Sequence, residues 1–463
     1  MPPPAGLLPW PAPSATRLAT PTRTRPPPRT RVRPPPPPAP APPTKPPAPA
    51  PPPPPRLEPV ARSPAAATAT LPPITTSALS PSSATCLECV HFNSCSGCTH
   101  EVDLDKPAVL QEVENFFNGH GVGDFTFSRG RLREWRCRAK LAIRGTPESP
   151  LIGLYQEGTH TVADIPECRA HHPSINATIK LLRQGISELN IQPFDEDAGT
   201  GELRYVQMAV TTYNTSIPVA KRYEQGRVQV SLVWNSRDEH SQNSEKLSLL
   251  SEFLWRNGGA KGTVHLIHSI WANFQTTASN IIFGHKWRHL IGEKDLWERY
   301  GGVDISLDPY SFGQANTLSF NALLHKLHKY VPRGSTVVDL YSGAGVIGLS
   351  LAASKKCSSP TKVNDEKRPW ILRAREAAVQ VDSTPLEESS GTWPETLIYI
   401  SCGWDSFKKD CKSLMSSKAW HLQDAHAFNF FPGTDSIEVL AIFKRESEAD
   451  QKKRKKAKKK KAK

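Results

Sequence analysis

Residues 337–348 read VVDLYSGAGVIG, and this stretch decides the fold of the C-terminal part of the chain. A short apolar run ends in Asp339, a turn follows at Gly343 and Gly345, and an apolar helix begins directly after it. Glycine lets the backbone turn sharply and approach a ligand closely, and a helix N-terminus offers free N–H groups. The pattern predicts an α/β domain with a nucleotide-binding turn; the alternative is a plain tight strand-to-helix turn.

Three further motifs lie on both sides of this turn. Residues 310–316 read YSFGQAN, residues 397–402 read LIYISC, and residues 431–438 read FPGTDSIE. In this order they resemble the RNA (uracil-5-)-methyltransferase family, over roughly residues 86 to 445. The resemblance implies a Rossmann-like catalytic domain preceded by an α+β domain. It also implies S-adenosyl-L-methionine as methyl donor, tRNA or rRNA as substrate, and 5-methyluridine as product.

The resemblance assigns the two catalytic roles to Cys402 and Glu438. Carbon C5 of uracil is a poor nucleophile, and a thiolate that adds to C6 makes it able to attack a methyl–sulfonium. The proton on C5 must then leave, and a carboxylate beside the base can accept it. Cys402 matches the nucleophile after the LIYIS strand, and Glu438 matches the base at the last strand. For Cys402 the alternative is an inert thiol at a strand end.

The cofactor residues that the resemblance implies lie in the glycine turn, in the motif before it and after the second strand of the domain. They are Gln314, Asp339, Tyr341, Gly343, Gly345 and Asp365. A polar loop residue is the alternative for Gln314, and a helix or turn cap is the alternative for Asp339. The family carries an acidic residue at the end of the second strand, where this chain has Lys362, so Asp365 or, alternatively, Glu366 is the candidate replacement.

Four cysteines resemble the [4Fe–4S] site of cluster-bearing members of the same family: Cys89, Cys95, Cys98 and Cys168. Four thiolates are the expected ligand set of such a cluster. Cys86 adds a second CxxC pair, so a four-thiolate zinc site is the alternative. The nine cysteines are odd in number and tightly grouped, which indicates a metal site in a reducing compartment rather than a disulfide framework.

Both ends of the chain are low in complexity. Residues 1–84 are rich in Pro, Ala, Thr, Ser and Arg, and their first acidic residue is Glu58. This composition is typical of an organelle transit peptide, so we expect a chloroplast location, with mitochondrion or nucleus as alternatives. A Pro-rich linker is the structural alternative. The tail at 447–463 is strongly basic and predicts a disordered arm, and the net charge of +14 favours a nucleic-acid partner.

The ordered part of the chain is expected to form two domains. Residues 85–303 would hold the iron–sulfur cluster and an α+β RNA-binding domain, and residues 304–446 would form the Rossmann-like methyltransferase domain. The stretch 129–138, RGRLREWRCR, could bind phosphates and stack a base, or could be a plain strand with one wet face. No transmembrane helix is expected, and the protein is expected to be a monomer.

The chain also departs from the family pattern. About 30 residues lie between Glu366 and Thr396, and the Asp-Pro-Pro-Arg motif of the family is absent from the sequence. The catalytic domain is therefore expected to lack central strands, which would leave a hydrogen-bonding gap in its sheet. The competing hypothesis follows directly: a catalytically impaired, RNA-binding iron–sulfur protein derived from such an enzyme.

Overall fold

The computed structural model describes residues 85–241, 243–260, 265–277, 281–355, 394–417 and 419–445. These residues lie in one compact unit. The N-terminal segment 1–84, Asp365 and the basic tail, on which predictions were made above, lie outside the described residues. Among the described residues, no helix is both long enough and apolar enough to cross a bilayer.

The described chain forms helices and strands in mixed order. The helices are α1 Leu110–Gly119, α2 Pro173–Glu188, α3 Val219–Arg222, α4 Ser244–Gly258, α5 Thr317–Leu327, α6 Val346–Lys355 and α7 Trp404–Ser416. The strands are β1 Thr126–Ser128, β2 Arg138–Gly145, β3 Pro150–Tyr155, β4 Val162–Asp164, β5 Leu203–Thr211, β6 Arg227–Trp234, β7 Ile267–Phe274, β8 Lys286–Gly292, β9 Leu296–Tyr300, β10 Val303–Leu307, β11 Thr396–Ser401, β12 Trp420–Phe428 and β13 Glu438–Arg445.

The first sheet has seven strands in the order β4-β3-β2-β5-β6-β7-β8. Neighbours run antiparallel except β6 and β7, which are parallel. Because side chains alternate across a strand, one face collects the apolar residues, such as Leu141 and Val230, which pack on α2 and α4. The other face carries polar residues, and the paired Lys140 and Gln207 are an example. This division positions a polar surface opposite the helices.

The second sheet has four strands in the order β1-β12-β13-β11. The central strand β13 is covered on both faces: Val439, Ala441 and Phe443 pack with α1 and α7, while Leu440 and Ile442 pack with α5. A sheet between two layers of helices is the layering of an α/β domain. The short strand β1 also belongs to this sheet, although it precedes all strands of the first sheet in the sequence. Its Thr126 pairs with His426 of β12.

The hydrophobic pattern of the sequence predicts helices at 108–119, 175–189 and 245–257, and the structure confirms them within two residues at each end. The alternating pattern at 263–269 predicts a strand, which begins later, at Ile267; residues 261–264 lie outside the described part.

The composition of the apolar run before the glycine turn predicts a strand, and this prediction is wrong, because none of the described strands includes the run. A strand needs a hydrogen-bonding neighbour, and no described strand pairs with this segment. Val338 and Leu340 are accordingly exposed.

Candidate functional site

The two sequence-predicted catalytic residues lie next to each other across the second sheet. Strands β11 and β13 are antiparallel, and their last aligned pair is Ser401 and Val439. Cys402 follows Ser401 and Glu438 precedes Val439, so the next pair in this register is Cys402 and Glu438. The Cys402 thiol is exposed. Partial burial raises its pKa, and the negative charge of Glu438 raises it further.

Glu438 is buried, with 7% of its surface exposed. It lies at the start of β13 and pairs with Phe428 of β12, so the sheet fixes its backbone. Burial raises the pKa of its carboxyl to about 7, because ionisation is unfavourable away from water. A carboxyl with this pKa is partly ionised at neutral pH and can both accept and return a proton, as a general base must.

The predicted cofactor turn has the geometry that its glycines indicated. Gly343 and Gly345 have φ values of +57° and +72°, a region that favours glycine. Tyr341 also has a positive φ, of +58°, and its side chain is fully exposed. Asp339 accepts a hydrogen bond from the N–H of Gly348 at 3.0 Å, so it caps the start of α6. The cap alternative for Asp339 is therefore realised, and Asp339 still borders the turn.

The loop that carries Gln314 is held at both sides. Its Gly313 lies against the guanidinium of Arg138, and an added Cβ would come within 2.4 Å of Arg138 Cζ, so a larger residue would displace that side chain. Asn316 caps α5 by accepting from the N–H of Ser319 at 3.0 Å. The Asn316 amide also donates to the carbonyl of Phe430 at 3.0 Å. The YSFGQAN loop is thereby tied to the FPGTDSIE segment that leads to Glu438.

The four predicted cluster ligands line one cavity of about 80 Å³, together with apolar residues such as Leu154 and Ile165. These ligands are Cys89, Cys95, Cys98 and Cys168. The N–H of Gly97 donates to the sulfur of Cys95 at 3.3 Å. Burial raises the pKa of Cys98 to about 12, and the three other cysteines contribute to the rise, which indicates that the thiols are close to one another.

The lining of the cavity bears on the two metal hypotheses. Cys86, which the zinc alternative requires, is not among the lining residues, whereas all four cysteines of the cluster hypothesis are. Within the described chain, no group of three or more His, Cys, Asp or Glu side chains is placed so that it could hold a metal ion.

The cysteine loop contacts the segment before the catalytic base, which the sequence alone did not indicate. The N–H groups of Thr99 and His100, directly after Cys98, donate to the carbonyl of Gly433 at 2.8 and 3.0 Å. Gly433 has a φ of +86°, and a Cβ there would lie 3.6 Å from the Cys98 sulfur. The only sequence signal for this contact is the glycine inside the FPGTDSIE motif.

The proposed base-stacking role of the stretch 129–138 is wrong for its tryptophan. Trp135 is 1% exposed and packs edge-on against Phe431, with ring centroids 5.8 Å apart. Arg136 lines the cysteine cavity, and Arg133 donates to the carbonyl of Cys86. The contact of Trp135 with Phe431 joins segments about 300 positions apart, which alternation within a short stretch of sequence cannot reveal.

Comparisons with known proteins agree with this geometry. A protein of Protochlamydia amoebophila named as an uncharacterised RNA methyltransferase is 33% identical over 401 residues, covering 78% of this chain and 99% of that protein. The 23S rRNA (uracil(747)-C(5))-methyltransferase RlmC of Yersinia pestis is 24% identical over 384 residues, covering 73% of this chain and 94% of that protein. No family model matches the chain.

The alignments with both relatives contain more positions than this chain fills with residues. The 401 aligned positions of the Protochlamydia protein take up 78% of the 463-residue chain, or about 361 residues, so about 40 positions have no residue of this chain opposite them. The Yersinia alignment, with 384 positions on 73% of the chain, leaves about 46 such positions.

The fold also matches a solved structure. The Pyrococcus abyssi tRNA (uracil-54, C5)-methyltransferase, in complex with S-adenosyl-L-homocysteine, superimposes with a TM-score of 0.56 at 20% identity, covering 75% of this chain and 84% of that one. This likeness shows a mixed α/β fold of the Rossmann-like methyltransferase type. With the identity to the Protochlamydia protein, it establishes that the chain belongs to the RNA methyltransferase family.

Proposed function

We propose that this protein transfers a methyl group from S-adenosylmethionine to C5 of uracil in RNA. The observation that carries the proposal is the register of β11 and β13, which puts an exposed thiol at Cys402 opposite a buried carboxyl at Glu438. A nucleophile and a base are the two groups that this reaction requires. The names of the Yersinia and Pyrococcus proteins, both uracil-C5 methyltransferases, support the choice of base and atom.

The residues of the glycine turn fit the methyl donor. Gly343 has open space where a Cβ would project, and Gly345 has only the side chain of Leu349 near it, at 3.7 Å. The turn leads into the N-terminus of α6, whose first-turn N–H groups have no partner within the helix, apart from the one that Asp339 caps. Bound S-adenosylmethionine would supply an electrophilic methyl group at this place.

The chain's own residues account for the remaining chemistry. The Cys402 thiolate forms a bond to C6 of uracil, which places the displaced electron pair on C5 and O4. After C5 has gained the methyl group, Glu438 accepts the C5 proton. The C5–C6 double bond then forms again, and the Cys402 sulfur leaves as thiolate. The target base has to leave its stack to reach these two groups.

The experiment is transfer of a labelled methyl group to a uridine-containing RNA, followed by digestion to nucleosides. We expect label in 5-methyluridine, complete loss of label in Cys402→Ala, and retention in Cys86→Ser, which removes a thiol outside the cavity. Equal labelling by Cys402→Ala and the unchanged protein would overturn the assignment of the nucleophile. Label in another nucleoside would overturn the proposed reaction.

A second candidate function is RNA binding without catalysis, and two observations favour it. Tyr341 is fully exposed and Leu340 is 70% exposed, so the glycine turn has little cover from the described residues. The alignments with relatives exceed this chain by about 40 positions, which is the length of one to two strand–helix units. Calorimetry with S-adenosylmethionine separates the two functions: measurable binding supports the enzyme, and absence of binding supports the RNA-binding remnant.

We further propose a [4Fe–4S] cluster on Cys89, Cys95, Cys98 and Cys168. The support is that these four thiols share one cavity and that Cys86 is not part of it. Anaerobically purified protein should contain about four irons and four acid-labile sulfides per chain. A serine at any of the four positions should remove the iron, whereas Cys86→Ser should keep it. Zinc in place of iron would contradict the proposal.

We also propose a chloroplast location for the protein, on the basis of the composition of residues 1–84. Fluorescent fusions that lack either residues 1–84 or the basic tail at 447–463 test it. Plastid fluorescence that disappears only with the first deletion supports it, and nuclear fluorescence that depends on the tail contradicts it.

A further inference from the structure

A row of aromatic rings crosses the polar side of the seven-stranded sheet near its β8 edge. The ring centroids of Phe283 and Trp287 lie 5.1 Å apart, and those of Trp287 and Tyr310 lie 6.0 Å apart. The ring planes are inclined by 46° and 56°, so the rings do not cover each other face to face. Phe283 and Trp287 are half-buried and Tyr310 is 63% exposed, so ring surface remains accessible to solvent.

One positive charge accompanies the rings. The ammonium of Lys140, on β2, lies 4.8 Å from the centre of the Phe283 ring. Arg288, next to Trp287 on the edge strand, belongs to the opposite face, because it pairs with the core residue Ala272. Exposed rings with a cation beside them are suited to stacked bases and a phosphate.

The aromatic row ends on the loop that carries Gln314, a predicted cofactor or substrate contact. Tyr310 belongs to the YSFGQAN loop, and Gln314 lies four residues further along it. Both ends of the loop are fixed to the sheet: Gln207 donates to the carbonyl of Pro309 at 2.6 Å, and the N–H of Cys137 donates to the carbonyl of Ala315 at 2.7 Å. A strand of RNA that lies on the rings is therefore led toward the loop that holds Gln314.

We propose that Phe283, Trp287 and Tyr310 form a stacking surface for the single-stranded nucleotides that flank the target uridine, with Lys140 facing a phosphate. This inference rests on the proposed function, because it names the form of RNA that the enzyme binds. A flipped-out uridine needs its neighbours held while it is out of the stack, and aromatic rings hold bases of any identity.

The test compares two replacements of one ring. Trp287→Leu keeps an apolar side chain but removes the aromatic face, and Trp287→Phe keeps an aromatic face. The probe is a fluorescent single-stranded oligouridine, and its anisotropy reports binding to the full-length protein. We expect Trp287→Leu to weaken binding about 10-fold, as loss of one stacked base does, and Trp287→Phe to bind within about twofold of the unchanged protein. Thermal unfolding of each variant identifies any loss of the fold.

A second variant tests the charge independently of the ring. Lys140→Gln should reduce the slope of log affinity against log salt by about 0.7, the value for one phosphate contact on a single strand. Lys221→Gln, an exposed lysine on α3, is the control and should leave the slope unchanged. Equal oligouridine affinity for the unchanged protein and a folded Trp287→Leu overturns the stacking surface and leaves the proposed function standing. Failure of the unchanged protein to bind or methylate any RNA overturns both.

Discussion

Replacing Glu438 by glutamine should stabilise the protein in a way that depends on pH. Burial raises the carboxyl pKa from the ordinary 4.5 to about 7. Below pH 4.5 the carboxyl is protonated in both the folded and the unfolded chain, so its ionisation does not lower the free energy of unfolding. Between pH 4.5 and 7 the unfolded chain ionises and the folded one does not, so stability falls as pH rises. Above pH 7 the full cost is present.

The magnitude follows from the size of the shift. At about 1.4 kcal/mol per pKa unit, the change from 4.5 to about 7 corresponds to about 3 kcal/mol of lost stability above pH 7. Glutamine has nearly the same size and no charge, so it removes this cost. The free energy of unfolding of Glu438→Gln should therefore exceed that of the unchanged protein by about 3 kcal/mol at pH 8.5. At pH 5 the two free energies should agree within about 1 kcal/mol.

Urea unfolding at the two pH values measures the difference directly. Glu252→Gln, at an exposed position on α4, is the matched control and should change stability little at either pH. A gain for Glu438→Gln that is equal at pH 5 and pH 8.5 would refute the reasoning, and so would a loss at pH 8.5. An equal gain would mean that folding does not shift the pKa of Glu438, and a loss at pH 8.5 would mean that the folded protein favours its carboxylate.

Two further predictions concern the same site. Because the charge of Glu438 raises the pKa of Cys402, Glu438→Gln should move the pH midpoint of Cys402 alkylation by iodoacetamide downward; unchanged midpoints, measured by peptide mass spectrometry, would refute the electrostatic link. Gly433→Ala should lower the free energy of unfolding by about 1–2 kcal/mol, because its φ is positive. It should also reduce methyl transfer, because the added Cβ would lie 3.3 Å from the carbonyl oxygen of His100. Gly121→Ala shares the positive φ but has no atom within 4 Å, so it should lose stability and keep the transfer rate; equal transfer rates in the two variants would contradict the contact.

The order of motifs in the sequence was sufficient to select the candidate catalytic pair. Cys402 and Glu438 are 36 positions apart, and motif order alone selected both; the structure added the register that makes them neighbours. The helices with strong periodicity were also predictable, because an apolar stripe has to face the core.

Contacts over long sequence distances were not predictable in the same way. Strand β1 has three residues and pairs with a strand 300 positions away, so its own pattern holds no signal. Trp135 could be a binding residue or a core residue from sequence, and only the packing of Phe431 against it decides. The apolar run before the glycine turn has strand composition, yet a strand forms only where a neighbour can pair with it.

The central claim is that Cys402 forms a bond to uracil while Glu438 removes the C5 proton, and RNA that contains 5-fluorouridine tests it most directly. A fluorine at C5 cannot leave as a proton, so the bond between Cys402 and C6 should persist after methyl transfer. Mass spectrometry should find RNA attached through Cys402, in a reaction that needs S-adenosylmethionine. Methylation of ordinary uridine RNA without any such adduct on the fluorinated RNA would contradict the account.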